Sequence, residues 1–406
     1  MIYYFNPDTE MALKAGDASF YIAPAPVRQM AHDLALLPLW MADAEDVILV
    51  DEMPTSDFVA QIHTLFPQMT LPAILTPQQL PSAMPITPWG WNPTLFAKLK
   101  RWGLNQPEQE AAAPLRYALG NKANLHLLDH ELLRRGLSSA QQRHFAIHSV
   151  TQAEELLLRE PRLFSQGFLL KEGYSSSGRG HRWCRPAERT TTTPQQLLHS
   201  DLRQWIIRRT RGGKAIDMEP LYNKVADLAL LFHISSTGQI RFNGYSLFET
   251  TPEGAYRSNH LASNESILSY IDSLIDISLI EEAKQTYQCL FEERYARLSG
   301  PIGVDMMIYR DPDSGSLLLH PDVEINPRPT MGLVARHLYD LLLAPQDTWW
   351  RFVIEGSASS SQLQQHHTND QQQHPLLHDN QGRLTSGYLP LTPIGSHTRF
   401  RAYMKR

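Results

Sequence analysis

The 406-residue chain contains only two cysteines, Cys184 and Cys289, far apart and in no CxxC arrangement. That excludes a disulfide-stapled scaffold and fits a reducing, cytoplasmic setting. Positive charge is also scarce: 37 Lys and Arg stand against 42 Asp and Glu, a formal net charge of −5. Without a basic field, neither nucleic acid nor an anionic membrane surface is an expected partner. The longest basic cluster, "IIRRTR" at 206–211, reads as the solvated end of a helix. No apolar run reaches the ~18 residues of a membrane span, and polar residues by position 6 leave no signal-peptide core. Walker A spacing, a GxGxxG turn opening a helix, and internal repeats are absent. What remains is an ordinary globular balance, 42% apolar and 19% charged, long enough for two or three domains.

Hydrophobic patterning divides the chain. "MIYYFN", "DVILVD" and "PAILTP" read as strands alternating with helical patterns at 27–41 and 55–66, a small open α/β domain over 1–114. A Gln/Glu/Ala stretch at 105–114 reads as a linker. Over 115–220 come a helix ("GNKANLHLLDHELLRRG"), a strand ("FAIHSV"), a helix capped by Thr151, and two strands joined by a Gly/Ser loop ("GFLLKEGYSSSGRGHRWC"). A further helix at 191–213 and the strand "AIDMEPLY" complete that segment. Residues 221–406 read as an antiparallel set, a helical region at 262–298, and a hairpin turning at "DPDSG". A low-complexity exposed loop at 357–380 and two closing strands follow.

Three constellations carry chemistry. In "VEINPRP", Glu324 and Asn326 share one face of a strand, and Asp305 stands on its hairpin partner "GVDMMIY". Equal counting from the turn does not align Asp305 with Glu324, so a bulge near Pro321 is expected to correct the register. Hard oxygen ligands converging from adjacent strands suit Mg²⁺; exposed strand-end polars are the plain alternative. In "LLKEGYSSSGRG", Lys171 ends an apolar strand before Ser175, Ser176, Ser177, Gly178, Arg179 and Gly180. Small residues there let backbone N–H groups approach phosphate oxygens; a surface hairpin is the alternative. In "DMEPLYNKVADLAL", Glu219 and Asp227 flank a short crossover, suited to a ribose hydroxyl and an adenine edge.

Taken in order, Lys122, Lys171, Glu219, Arg257 with Asn259, Asp305, Glu324 and Asn326 resemble the ATP-grasp superfamily, most closely its carboxylate–amine ligases, over roughly 115–335. The resemblance implies two α+β lobes sandwiching ATP behind a small α/β domain, with lobes at 115–220 and 221–406. It implies phosphate contacts from Lys122, Lys171 and the loop Ser175–Gly180, an adenine hinge at Glu219 and Leu221, and a ribose carboxylate at Asp227. Asp305, Glu324 and Asn326 match its Mg²⁺ ligands, with Mn²⁺ an alternative ion. Arg257 matches a γ-phosphate contact, and Arg328 an arginine near the transferred phosphoryl group or the substrate carboxylate. Gly303 departs from the pattern, standing where some relatives carry a basic residue. The implied activity joins small-molecule carboxylate and amine substrates through an acyl phosphate, with a thiol in place of the amine in some relatives. A small-molecule kinase and a non-catalytic ATP-binding regulator are the alternatives; homodimers are common among relatives. "FNPDTEMAL" (Asn6, Asp8, Glu10) and the aromatic "PWGWNP" at 88–93 are further candidates for acceptor contacts, against a turn and core packing.

Overall fold

The computed structural model describes every residue except 17–20, 55, 81–83, 176, 177, 179, 187–193 and 345–348. Its N-terminal part is a parallel sheet of β1 (Ile2–Tyr4), β2 (Val47–Leu49), β3 (Ala73–Leu75) and β4 (Ile86–Pro88), in the order β3-β2-β1-β4. Three of these strands are the expected ones; β4 is only three residues long and ends in proline, so it has no periodicity to betray it. The helix expected over 27–41 divides into Ala25–Asp33 and a 3₁₀ turn at Leu37–Met41. Pro38 there has no N–H to continue an α-helical ladder.

The expected linker at 105–114 is instead helical. Pro107 opens a helix to Leu119 at the position where its missing N–H costs nothing, and three consecutive alanines favour continuation. A boundary at 114 would therefore fall inside a helix.

A second sheet is antiparallel: β5 (Phe145–Ile147), β6 (Phe168–Glu172), β7 (His181–Cys184) and β8 (Ile216–Pro220), ordered β5-β8-β6-β7. Helices Val150–Arg159 and Ser200–Arg209 bury Leu156, Leu202 and Trp205 against its Phe168 and Met218. The first of these helices is capped by Ser149, whose hydroxyl accepts the Gln152 N–H at 3.2 Å, and not by Thr151.

The third sheet has eight strands. β9 (Asn223–Ile234), β10 (Ile240–Thr250), β11 (Tyr256–Leu261), β12 (Gly300–Arg310) and β13 (Leu317–Asn326) form one part. β14 (Trp350–Gly356), β17 (Tyr388–Pro390) and β18 (Phe400–Lys405) extend it, in the order β13-β12-β9-β10-β11-β14-β18-β17. Helices Asn264–Asp272 and Ser278–Arg294 cover one face, burying Ile271, Tyr287 and Phe291 against Leu230, Phe232 and Val304.

Residues 357–380 are not a loop: Ser359 caps a helix from Ser360 to Gln373, and β15 (Leu377–His378) then pairs with β16 (Leu384–Ser386). Only Leu363 of that helix is buried, so charge anchors it. Asp370 accepts from Arg401 Nη2 (2.8 Å) and Lys405 Nζ (2.9 Å) on β18.

The chain's two ends are clasped together. Asp33 Oδ2 accepts the N–H groups of Arg399 (2.7 Å) and Phe400 (3.0 Å), and Trp40 Nε1 donates to the Leu391 carbonyl at 2.7 Å. Leu37 and Trp40 share a core with Leu338, Phe352 and Met404. The layout matches the expected fold class, a small open α/β unit ahead of two facing α+β layers. No helix among the described residues is long and apolar enough to cross a membrane.

Candidate active site

The β12–β13 hairpin sets one wall. Its register shifts between Asp305 and Met307, the irregular stretch of β13 holding Pro321, and this puts Asp305 directly opposite Glu324 and Gly303 opposite Asn326. Asn326 Nδ2 donates to Asp305 Oδ2 at 3.0 Å. Gly303 is tightly enclosed: a Cβ there would lie 2.8 Å from Thr330 Cγ2, so any side chain would force a shift.

Two buried lysines reach this wall from elsewhere in the chain. Lys122 sits in a 3₁₀ turn (Lys122–Asn124) rather than a helix, its backbone fixed by Asn121 Oδ1 accepting the Ala123 N–H. Its Nζ donates to Glu324 Oε1 and to the Ser175 carbonyl, both at 2.7 Å. Lys171 is the penultimate residue of β6 and donates to Glu219 Oε2 at 2.8 Å, with the Val323 carbonyl at 3.4 Å.

The charges shift one another. Burial and the adjacent Glu324 charge push Asp305 up to about 8. Burial works against Glu324 too, but Lys122 overrides it and holds that carboxyl below its usual range. Two facing carboxylates with an amide beside them are a set of hard oxygen donors a divalent cation would satisfy.

Beneath Lys171 lies a support that sequence reasoning missed. His144 Nδ1 pairs with Asp217 Oδ2 (2.9 Å) and Nε2 with the Asp322 carbonyl (3.0 Å), so both ring nitrogens face acceptors. Burial lowers the pKa of this ring, yet Asp217 prevails and raises it to about 10, which favours the protonated ring. Both ring nitrogens are hydrogen-bonded where His144 lies against the buried Asp129 and Asp322. The available signal was the period-two spacing of Asp217 and Glu219 in "AIDMEPLY", the same spacing as Glu324 and Asn326.

Gly178 of the Gly/Ser loop lies against the turn between β10 and β11. Gly178 (φ 71°) and Gly180 (φ 88°) lie in the left-handed region, and a Cβ on Gly178 would come within 2.5 Å of the Glu253 carbonyl between β10 and β11. Ser175 is buried, its carbonyl held by Lys122; Ser176, Ser177 and Arg179 lie outside the described residues.

Other expected residues are placed differently. The Leu221 N–H is already donated to the Gly167 carbonyl (3.2 Å), so it is not a free donor for an adenine edge. Asp227 is buried on β9 and accepts from Thr250 Oγ1 (3.0 Å) and Lys224. Arg257 is exposed at a bulge: Glu249 pairs with Ser258 and Thr250 with Tyr256, skipping it. Its neighbours Tyr256 and Asn259 face the cavity in its place, the Tyr256 hydroxyl donating to Asn259 Oδ1 at 2.8 Å. Asn6 is spent on structure, exchanging hydrogen bonds with the Gly90 backbone at 2.7 and 3.1 Å.

A cavity of about 350 Å³ opens from Asp305, Glu324 and Asn326. Arg328 lines it, its Nε donating to Glu10 Oε1 at 2.7 Å, and Trp89 of "PWGWNP" forms part of its wall. Arg116, also missed from sequence, is buried and braces the turn before Arg328, donating to the carbonyls of Pro327 and Ser299, each at 3.0 Å.

No model of a known family matches the chain, and no curated protein does. Solved structures are similar to it. An N5-carboxyaminoimidazole synthetase from Staphylococcus aureus complexed with ADP is 11% identical over 100% of this chain and 92% of its own, at a TM-score of 0.45. The N5-carboxyaminoimidazole ribonucleotide synthetase of Thermus thermophilus is 13% identical over 100% and 94%, at 0.43. A biotin carboxylase–ATP complex from Campylobacter jejuni is 10% identical over 100% and 86%, at 0.48. At such identities the roles of individual residues rest on the geometry of this chain alone.

Proposed function

We propose that the chain is an ATP-dependent ligase that activates a substrate carboxylate as an acyl phosphate for attack by an amine. The observation that carries this is the convergence of Lys122 and Lys171 on the wall of Asp305, Glu324 and Asn326, beside a cavity that holds Arg328. Asp305, Glu324 and Asn326 would hold Mg²⁺, which supplies charge neutralisation between phosphate oxygens when bound.

The chain's own residues do the rest. Lys122 and Lys171 neutralise nucleotide phosphates, and the Ser175–Gly180 loop covers them. Arg328 orients the substrate carboxylate for in-line attack on the γ-phosphorus. The nucleotide base would lie towards the Glu219–Leu221 segment through contacts other than the Leu221 N–H, which is spent on Gly167, and the ribose towards Asp227. Because Lys122 and Arg328 are each paired internally, with Glu324 and Glu10, incoming groups must exchange with those partners.

The test is Glu324→Ala. ADP release should fall by on the order of 10²–10³, as should hydroxamate formation when hydroxylamine replaces the amine, while circular dichroism stays unchanged. Wild-type turnover in this variant would overturn the assignment.

A further inference from the structure

The cavity beside the metal-ligand wall is lined by two unlike sets of residues. One is charged or polar and includes Asp305, Glu324, Asn326 and the Glu10–Arg328 pair. The other is apolar: Met11, Val27, Met30 and Trp89 of the N-terminal part with Ile354 of β14 and Phe400 of β18, of which Met30, Trp89, Ile354 and Phe400 belong to one apolar cluster. Among the described residues lining the cavity, Arg328 is the sole cation. A phosphorylated substrate would bury its second anion against Met, Trp and Phe side chains with no positive partner among them, which burial of charge opposes.

The polar lining is as specific. A bare carboxylate placed on Arg328 would face Glu10 as a like charge. A zwitterion satisfies both: its carboxylate takes the guanidinium, its ammonium takes the Glu10 carboxylate, and the ion pair exchanges with no change in net charge. The volume of about 350 Å³ lies at the small end of ligand cavities, roughly 300–1,000 Å³.

Resting on the ligase reading, we propose that the activated substrate is a small unphosphorylated α-amino acid with an apolar or aromatic side chain. Arg328 receives its carboxylate, Glu10 its ammonium, and the Met30–Trp89–Phe400 wall its side chain.

The experiment uses the full chain with Mg²⁺ and two readouts. The first is calorimetric binding, with ADP present, of L-leucine, L-phenylalanine, 4-methylpentanoate, 3-phenylpropanoate, L-glutamate and 3-phosphoglycerate. The second is ATP-dependent hydroxamate formation from the same acids. L-Leucine or L-phenylalanine should bind at least about tenfold more tightly than its des-amino counterpart, a difference of about 1.4 kcal/mol. L-Glutamate and 3-phosphoglycerate should not bind measurably. Glu10→Gln should weaken the amino acids by about that factor and tighten the des-amino acids, which lose a like charge beside Arg328, a split that misfolding would not produce. Preference for 3-phosphoglycerate or L-glutamate, no binding of either apolar amino acid, or equal affinity with and without the ammonium would overturn the inference. Hydroxamate from another acid in that case keeps the ligase reading. Amino-acid binding without hydroxamate from any acid overturns the ligase reading instead.

Discussion

Replacing Lys171 with methionine separates what the buried lysine does for the fold from what it does for the nucleotide. Lys171 and Glu219 are 3% and 5% exposed at their side chains and 2.8 Å apart, so solvent screens neither. Removing one member of such a pair costs roughly 3–5 kcal/mol, because the other is left buried and charged. His144, 3.6 Å from the same Glu219 oxygen, offsets part of this. The lobe's melting transition should fall by on the order of 10 °C.

The loss should depend on pH. Burial already raises the Glu219 pKa above its ordinary 4.5, with Lys171 and His144 opposing. Without the lysine it rises further, so the folded state binds more protons than the unfolded one over the interval between the two values. Stability then falls as pH increases through that interval, by at most ~1.4 kcal/mol per unit. Differential scanning calorimetry at pH 6, 7 and 8 reads the slope. Adding Glu219→Leu removes the stranded charge and should restore much of the lost stability, while nucleotide affinity measured by calorimetry remains low. A single variant that melts with the wild type at every pH would refute the buried ion pair.

Gly178→Ala should strain the loop twice, through its left-handed backbone and the approach to the Glu253 carbonyl. A cost of about 1–3 kcal/mol should appear as faster proteolytic nicking near 173–181 and weaker ATP binding. Arg257→Ala should keep ADP release within about twofold, since the exposed bulge position is outside the cavity; a loss above tenfold would return this arginine to the machinery.

Period-two alternation was enough to align Glu324 with Asn326 and to anticipate the register correction near Pro321, because strand geometry is local. The same logic did not reach Arg257. A one-residue bulge turned its neighbours towards the cavity, and nothing in "AYRSN" reports where pairing slips. His144 was illegible for a different reason: its partners Asp217 and Asp322 lie 73 and 178 positions away, and only packing joins them. The helix at Ser360–Gln373 defeated compositional reading because its stability comes from Asp370 reaching Arg401 and Lys405, not from an apolar face. Lys122 was recognised as a cation by order along the chain, but its grip on Glu324 belongs to the tertiary structure.

The clasp of Asp33 onto the backbone of Arg399 and Phe400 bears on how the protein comes into being. During synthesis Asp33 and Trp40 are made well before their partners, which follow 351 to 367 residues later. Until then the apolar surface that shares a core with Phe352 and Met404 stays uncovered. Phe400, which walls the cavity, arrives in the same late stretch. A nascent chain stalled before Phe400 would hold the whole metal-ligand wall and still lack a finished pocket.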